Sequence, residues 1–122
     1  MYELMVEDNF NSAHFLKGYD GNCKNLHGHN FRVQIFVKGL ELNQIGLLAD
    51  YRLLKKELKV ILSELDHKLL NDILKFNPTS ELLAKYLYNK LKAVLKHISK
   101  KVRLSKVIIW ESDKTSASYF EE

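Results

Sequence analysis

The chain has 122 residues, of which 46% are hydrophobic and 28% charged, so we expect residues 1–122 to form one domain around one hydrophobic core. Its longest uninterrupted apolar stretches span three to four residues, which excludes a transmembrane helix. The first ten residues lack the layout of a signal peptide, and a single cysteine permits no internal disulfide. A cytoplasmic protein with no membrane association is therefore expected.

The net charge of +4 favours an anionic ligand but does not require one. Many of the lysines lie between residues 55 and 101, where helical segments need a solvated face. A nucleic-acid-binding domain is disfavoured because there is no arginine-rich stripe and only three arginines, and because the aromatic residues fall mostly on core-like positions.

The first half of the chain begins with two strand patterns. Residues 2–7 alternate apolar Tyr2, Leu4 and Val6 with other side chains, which predicts a half-buried strand that continues towards His14. Residues 31–38 place valines and an isoleucine on one face and end at a turn glycine. The polar, glycine-bearing segment 17–30 between the two strands is long enough to be a functional loop.

Two helices and two further strands follow. Asp50 is placed to cap a helix that runs to about Leu65, and Thr79 to cap a second helix with Glu81 in its first turn. Both helices have a single apolar face. Residues 102–110 and 116–120 predict two more strands, the first rich in β-branched side chains. The order ββααββ predicts an α+β fold with helices packed on one face of an antiparallel sheet.

Histidines in the first half of the chain suggest a metal site. His27 and His29 are two residues apart and would point to the same side of an extended segment, and a hairpin would lay His14 alongside them. Three imidazoles leave a fourth position open, as in catalytic zinc sites. The alternative is a turn with exposed histidines. Cys23 could be a fourth ligand, a reactive thiolate or an inert thiol, and its spacing does not decide.

Two further features carry possible chemistry. Asp66 and His67 follow the first helix and could form a proton-transfer pair, although an Asp-His pair at a helix end is usually structural. Glu111 follows Trp110 at the end of a hydrophobic strand, where it could equally be the first solvated residue after the core.

Taken in order, these motifs resemble the 6-pyruvoyl-tetrahydropterin synthase family over nearly the whole chain. The resemblance rests on the His14 strand, C-x-x-x-H-G-H at 23–29, residues 46–50, the pairs 66–67 and 78–79 with Glu81, and Glu111. It implies the tunnelling fold, in which a four-stranded antiparallel sheet backed by two helices assembles into a barrel. It also implies a hexamer made of two trimers, with active sites between neighbouring subunits.

The resemblance also implies a role for each site residue. His14, His27 and His29 would bind Zn²⁺, and Cys23 would be the catalytic thiol. Asp66 and His67 would complete a proton relay supplied by an adjacent subunit. Glu111 would anchor the pterin through paired hydrogen bonds, and Thr79 is assigned to substrate binding with it. Leu82 and Ser112 depart from the Asn and Thr that the family commonly has at these positions.

The four-residue spacing between Cys23 and His27 resembles that of the family branch that forms 6-carboxytetrahydropterin for queuosine synthesis. This branch converts 7,8-dihydroneopterin triphosphate to 6-carboxy-5,6,7,8-tetrahydropterin, acetaldehyde and triphosphate. Enzymes that form 6-hydroxymethyl-dihydropterin usually carry a glutamate in this loop, and none occurs between Gly21 and Asn30. Two alternatives remain: 6-pyruvoyl-tetrahydropterin formation at the same site, and a non-catalytic subunit that binds zinc or pterin.

Overall fold

The computed structural model describes residues 1–18 and 25–122. The order of elements confirms the predicted ββααββ arrangement, with one additional short helix between the two long ones. The strands are β1 (Tyr2–His14), β2 (His27–Gly39), β3 (Val102–Ser112) and β4 (Thr115–Tyr119), and the helices are α1 (Tyr51–Ser63), α2 (Leu70–Ile73) and α3 (Ser80–Ile98).

The four strands form one antiparallel sheet in the order β1-β2-β3-β4, as predicted. Strand β1 pairs with β2 along its whole length, from Tyr2 opposite Gly39 to His14 opposite His27. Helix α1 packs on β1, and α3 packs on β3 and β4. Among the described residues, no helix has the length and apolar character needed to span a membrane.

The core lies between the inner face of the sheet and the apolar faces of the helices. Strand β2 buries alternate residues, beginning with Phe31, because side chains of a strand alternate between its two faces. In β1 the buried face begins at Val6, since Tyr2 is 49% exposed and Leu4 is only partly buried. The helices contribute most of the core leucines and one isoleucine, among them Leu54, Leu58, Ile61, Leu62, Leu83, Leu87, Leu91 and Leu95.

Both predicted helix caps are present. Asp50 accepts a hydrogen bond from the backbone N–H of Arg52 at 2.8 Å, and Thr79 accepts one from the N–H of Leu82 at 3.1 Å. The Thr79 cap starts α3 at the same end of the molecule as the last residue of β1, the first of β2 and the end of β3. Three strand ends and one helix N-terminus therefore meet in one place.

Candidate metal centre

Three histidines converge at this end of the sheet. His14 is opposite His27 in the β1–β2 register, and Ser12 is opposite His29. His27 and His29 share a face of β2, so the hairpin brings all three imidazoles together as the sequence pattern predicted. Their ring centroids are 4.5–5.2 Å apart. Their assignment as metal ligands stays a prediction, and the structure supplies the geometry for it.

Hydrogen bonds fix the tautomers of two of the rings. The Nδ1 of His14 lies 2.8 Å from the carbonyl oxygen of Pro78, and the Nδ1 of His27 lies 2.7 Å from that of Asn25. A carbonyl oxygen only accepts, so each Nδ1 carries the proton, and in the neutral ring the lone pair is left on Nε2. Backbone carbonyls orient metal-bound histidines in this way in many proteins.

Glu111 completes the cluster from β3. Its Oε1 lies 3.3 Å from His14 Nε2, 3.9 Å from His27 Nε2 and 2.9 Å from His29 Nε2. The four side chains each offer one donor atom, and these atoms all lie within 4.8 Å of one another. The resemblance assigned Glu111 to the pterin rather than to the histidines, and that assignment stays a prediction.

The electrostatics suit a cation. The interaction with His14, a hydrogen bond from Ser80 and the positive charge that His29 carries when protonated lower the pKa of the Glu111 carboxyl to about 2, against the opposing effect of burial. Burial lowers the pKa of His29 below its ordinary value, and His27 and His14 lower it further, while Glu111 opposes the shift. At neutral pH the carboxylate is therefore ionised and His29 is neutral, which are the forms that bind metals.

Unsatisfied nitrogen atoms provide a direct test of whether a metal fits. The Nε2 atoms of His14 and His29 are buried and have no hydrogen-bond partner, although Glu111 Oε1 is close to both. An unsatisfied buried polar atom is costly, and native structures contain few of them. A cation held between these nitrogens would satisfy both, and imidazole and carboxylate are suitable zinc ligands. The residues therefore fit Zn²⁺.

Ser80, the first residue of α3, is a site residue that the sequence did not indicate. Its hydroxyl donates a hydrogen bond to Glu111 Oε2 at 2.8 Å. A cavity of about 450 Å³ opens beside this pair, and the β3–β4 hairpin forms its other wall; it is lined by Ser80, Glu81, Glu111, Thr115, Ser116, Ala117 and Ser118. Thr79, predicted to bind substrate, precedes Ser80, and its hydroxyl oxygen is already engaged in the helix cap.

A larger groove, of about 770 Å³, lies near the opposite end of α3. It carries Lys96, Lys100 and Arg103 among its lining residues. Its lining residues on α3 begin at Tyr88, so the groove follows the C-terminal half of the helix, whereas Ser80 and the histidines lie at the N-terminal end.

The Asp66–His67 pair lies in a turn beside edge strand β1. Asp66 Oδ1 accepts the N–H of Asn11 at 2.8 Å, and the N–H of His67 donates to the carbonyl of Asn11 at 2.6 Å. His67 Nδ1 is 3.4 Å from Asp66 Oδ1, and its side chain is 75% exposed. Within the described parts of the chain, no hydrogen bond or ion pair joins this pair to the histidine cluster.

The backbone of His67 is unusual, with φ at 56°. A non-glycine residue in the left-handed region is uncommon, and such strain is concentrated at functional sites. Hydrogen bonds from both sides of the turn hold it in place, including one from the N–H of Ala13 to the carbonyl of Lys68. The turn therefore presents an exposed imidazole at the edge of the sheet. Cys23, the predicted catalytic thiol, lies outside the described residues.

Comparison with known proteins identifies the family. Residues 3–122 match the model of the 6-pyruvoyl tetrahydropterin synthase family. The chain is 32% identical to 6-carboxy-5,6,7,8-tetrahydropterin synthase from Bacillus subtilis, over 97% of this chain and 84% of the relative. It is also 32% identical to dihydroneopterin monophosphate aldolase from Pyrococcus furiosus, over 90% of each chain.

A solved structure shares the fold. The 6-pyruvoyl tetrahydropterin synthase of Caenorhabditis elegans superposes with a TM-score of 0.86 at 30% identity, covering 99% of this chain and 96% of the other. The chain belongs to the 6-pyruvoyl tetrahydropterin synthase family, which confirms the resemblance inferred from its motifs.

Proposed function

We propose that the protein is a zinc-dependent 6-carboxy-5,6,7,8-tetrahydropterin synthase. Its substrate is 7,8-dihydroneopterin triphosphate, and with one water consumed its products are 6-carboxytetrahydropterin, acetaldehyde and triphosphate. The observation that carries the proposal is the convergence of His14, His27, His29 and Glu111 at one end of the sheet. The Bacillus subtilis relative, which bears the name of this activity, supports the choice of reaction.

Each site residue of the chain has its own role in the proposed reaction. Zn²⁺ held by His14, His27 and His29 would supply a Lewis acid for the hydroxyl groups of the substrate side chain. The Cys23 thiolate takes a proton from a side-chain carbon, and Asp66 with His67 moves protons to and from the reacting groups. Glu111 holds the pterin ring by accepting paired hydrogen bonds from its N–H groups. Thr79, which precedes Ser80 at the start of α3, contributes to substrate binding.

The position of the Asp66–His67 turn supports a site shared between subunits. The turn lies on β1, an edge strand of the sheet, with the imidazole exposed. Strands β1 and β4 are the two edges, and an edge strand is a surface on which another chain can pair. We propose that subunits join along these edges into a hexameric barrel, so that each turn serves the metal centre of a neighbour. The protein is then a soluble cytoplasmic enzyme of 7-deazaguanine (queuosine) synthesis.

Mixed oligomers test the shared site. The variants Cys23→Ala and Asp66→Asn are each expected to be inactive, and they are unfolded together and reassembled at equal amounts. If the thiol and the relay come from different chains, about a quarter of the sites combine two intact halves, so activity returns to roughly that fraction of wild type. No recovery in oligomers shown to be mixed would place both groups in one chain.

Product analysis tests the reaction itself. Zinc-loaded protein is incubated with 7,8-dihydroneopterin triphosphate, and in parallel with dihydroneopterin monophosphate. The products are then separated and identified by mass spectrometry. The proposal requires 6-carboxytetrahydropterin with acetaldehyde from the triphosphate. Formation of the pyruvoyl compound would instead indicate the reaction for which the Caenorhabditis elegans relative is named. Formation of a 6-hydroxymethyl pterin from the monophosphate would indicate an aldolase reaction, for which the Pyrococcus furiosus relative is named. Unchanged substrate with zinc bound would favour a non-catalytic binding subunit.

A further inference from the structure

The carboxylate of Glu111 lies where a fourth metal ligand would lie. In a tetrahedral zinc site with bonds of about 2.0–2.1 Å, neighbouring ligand atoms are about 3.3 Å apart. The distances from Glu111 Oε1 to the three Nε2 atoms, 2.9, 3.3 and 3.9 Å, bracket that value. We propose that in the protein without substrate Glu111 Oε1 is the fourth ligand of the metal that the three histidines hold. This inference rests on the proposed metal site.

Hydrogen bonds do not satisfy the neutral imidazoles that face this carboxylate. If Glu111 were only a hydrogen-bonded partner of the imidazoles, the two nearest Nε2 atoms would be satisfied by it. The Nε2 atoms of His14 and His29 are buried without a hydrogen-bond partner despite their proximity to Oε1. In addition, the Nδ1 proton of His14 is directed to Pro78, which leaves its Nε2 lone pair facing the carboxylate oxygen. A cation between these atoms removes the conflict.

Ser80 fixes which oxygen of Glu111 faces the histidines. Its hydroxyl holds Oε2 at 2.8 Å, so Oε1 is the oxygen that points to the cluster. Ser80 is also the first residue of α3, where the partial positive charge of the helix N-terminus favours a carboxylate. We therefore assign Ser80 as a positioning residue, which sets one-oxygen ligation by Glu111 and does not contact the metal.

The arrangement gives Glu111 two successive partners. The cavity beside it is bounded by Thr115, Ser116 and Ser118 of the β3–β4 hairpin, and the carboxylate lies between this cavity and the histidines. A substrate hydroxyl that took the fourth position would displace Oε1 and leave the carboxylate free to accept hydrogen bonds. The metal site would then have four protein ligands in the resting protein and would open only on substrate binding.

Metal binding tests the inference without reference to turnover. Zinc affinity is measured by competition with a chromophoric chelator, and the visible absorption of the Co²⁺-substituted protein reports coordination. Glu111→Gln should weaken zinc binding at least about tenfold, the lower end of the cost of disturbing even an outer-sphere partner, and should alter the Co²⁺ spectrum. Ser80→Ala should weaken binding less, with a spectral change in the same direction. Glu81→Gln, an exposed carboxylate lining the same cavity, is the matched control and should change neither.

Neopterin added to Co²⁺-substituted wild type should shift its spectrum, and the shift should be smaller in Glu111→Gln because no carboxylate remains to be displaced. Equal zinc affinity and an identical Co²⁺ spectrum in wild type and Glu111→Gln, with native circular dichroism, would overturn the fourth-ligand assignment and leave the three-histidine site standing. Failure of wild type to bind zinc or Co²⁺ would instead reject the metal site on which the proposed function depends.

Discussion

Substitution of Asp66 separates a structural role from a catalytic one. Its Oδ1 accepts the backbone N–H of Asn11, and this bond ties the turn after α1 to edge strand β1. Asp66→Asn keeps a carbonyl oxygen that can accept the same hydrogen bond but removes the charge and the ability to take up a proton. Asp66→Ala removes the hydrogen bond as well. The two variants therefore predict different combinations of stability and activity.

The size of each effect follows from the surroundings of the carboxylate. Its side chain is 41% exposed, so solvent weakens the charged part of the interaction and the bond to Asn11 contributes about 1 kcal/mol. For a chain of this size that corresponds to a loss of about 4 °C in Tm for Asp66→Ala, and Asp66→Asn should stay close to wild type. Both variants should lose about 10²- to 10⁴-fold in kcat, the range typical of general acid–base catalysis.

The assays are differential scanning fluorimetry at fixed protein concentration, because association affects Tm, and turnover of 7,8-dihydroneopterin triphosphate. Asp66→Asn with wild-type Tm and wild-type kcat would refute the relay and leave Asp66 as a turn residue only. A large fall in Tm for Asp66→Asn would show instead that the charge itself stabilises the turn.

Three further predictions concern the metal, the thiol and the core. His29→Ala should lower the zinc bound per chain, measured by atomic emission after dialysis, whereas exposed His97→Ala on α3 should not; undiminished zinc in His29→Ala would remove it from the ligand set. Cys23→Ala should keep its zinc and lose turnover, and normal activity would exclude a catalytic thiol. Leu87→Ala, at a fully buried position of α3, should cost about 2–5 kcal/mol in urea unfolding; a loss below 1 kcal/mol would contradict the packing described.

Most of the fold could be predicted from local patterns. The alternation in residues 31–38 and the leucine spacing of the helices identify their buried faces, because packing onto one core selects those periods. Asp50 and Thr79 were recognisable as caps since their side chains satisfy backbone N–H groups within three residues. Helix α2 was missed because its four residues are too few to show a helical period.

The candidate metal centre was predictable only in part. The H-x-H pair and a hairpin suffice to bring His14 to His27 and His29. The contact between Ser80 and Glu111 joins residues 31 positions apart on a helix and a strand, and no local pattern signals it. The same limit applies to the Asp66–His67 turn, whose place along β1 depends on how α1 packs on the sheet.

Zinc titration of the metal-stripped protein, with 6-carboxytetrahydropterin formation followed at each addition, tests the central claim most directly. We predict no product without metal, a rate that rises in proportion to the zinc added, and saturation at about one zinc per chain, as expected for a single catalytic site. Full-rate product formation in the stripped protein, or bound zinc with no pterin product from 7,8-dihydroneopterin triphosphate, would contradict the claim.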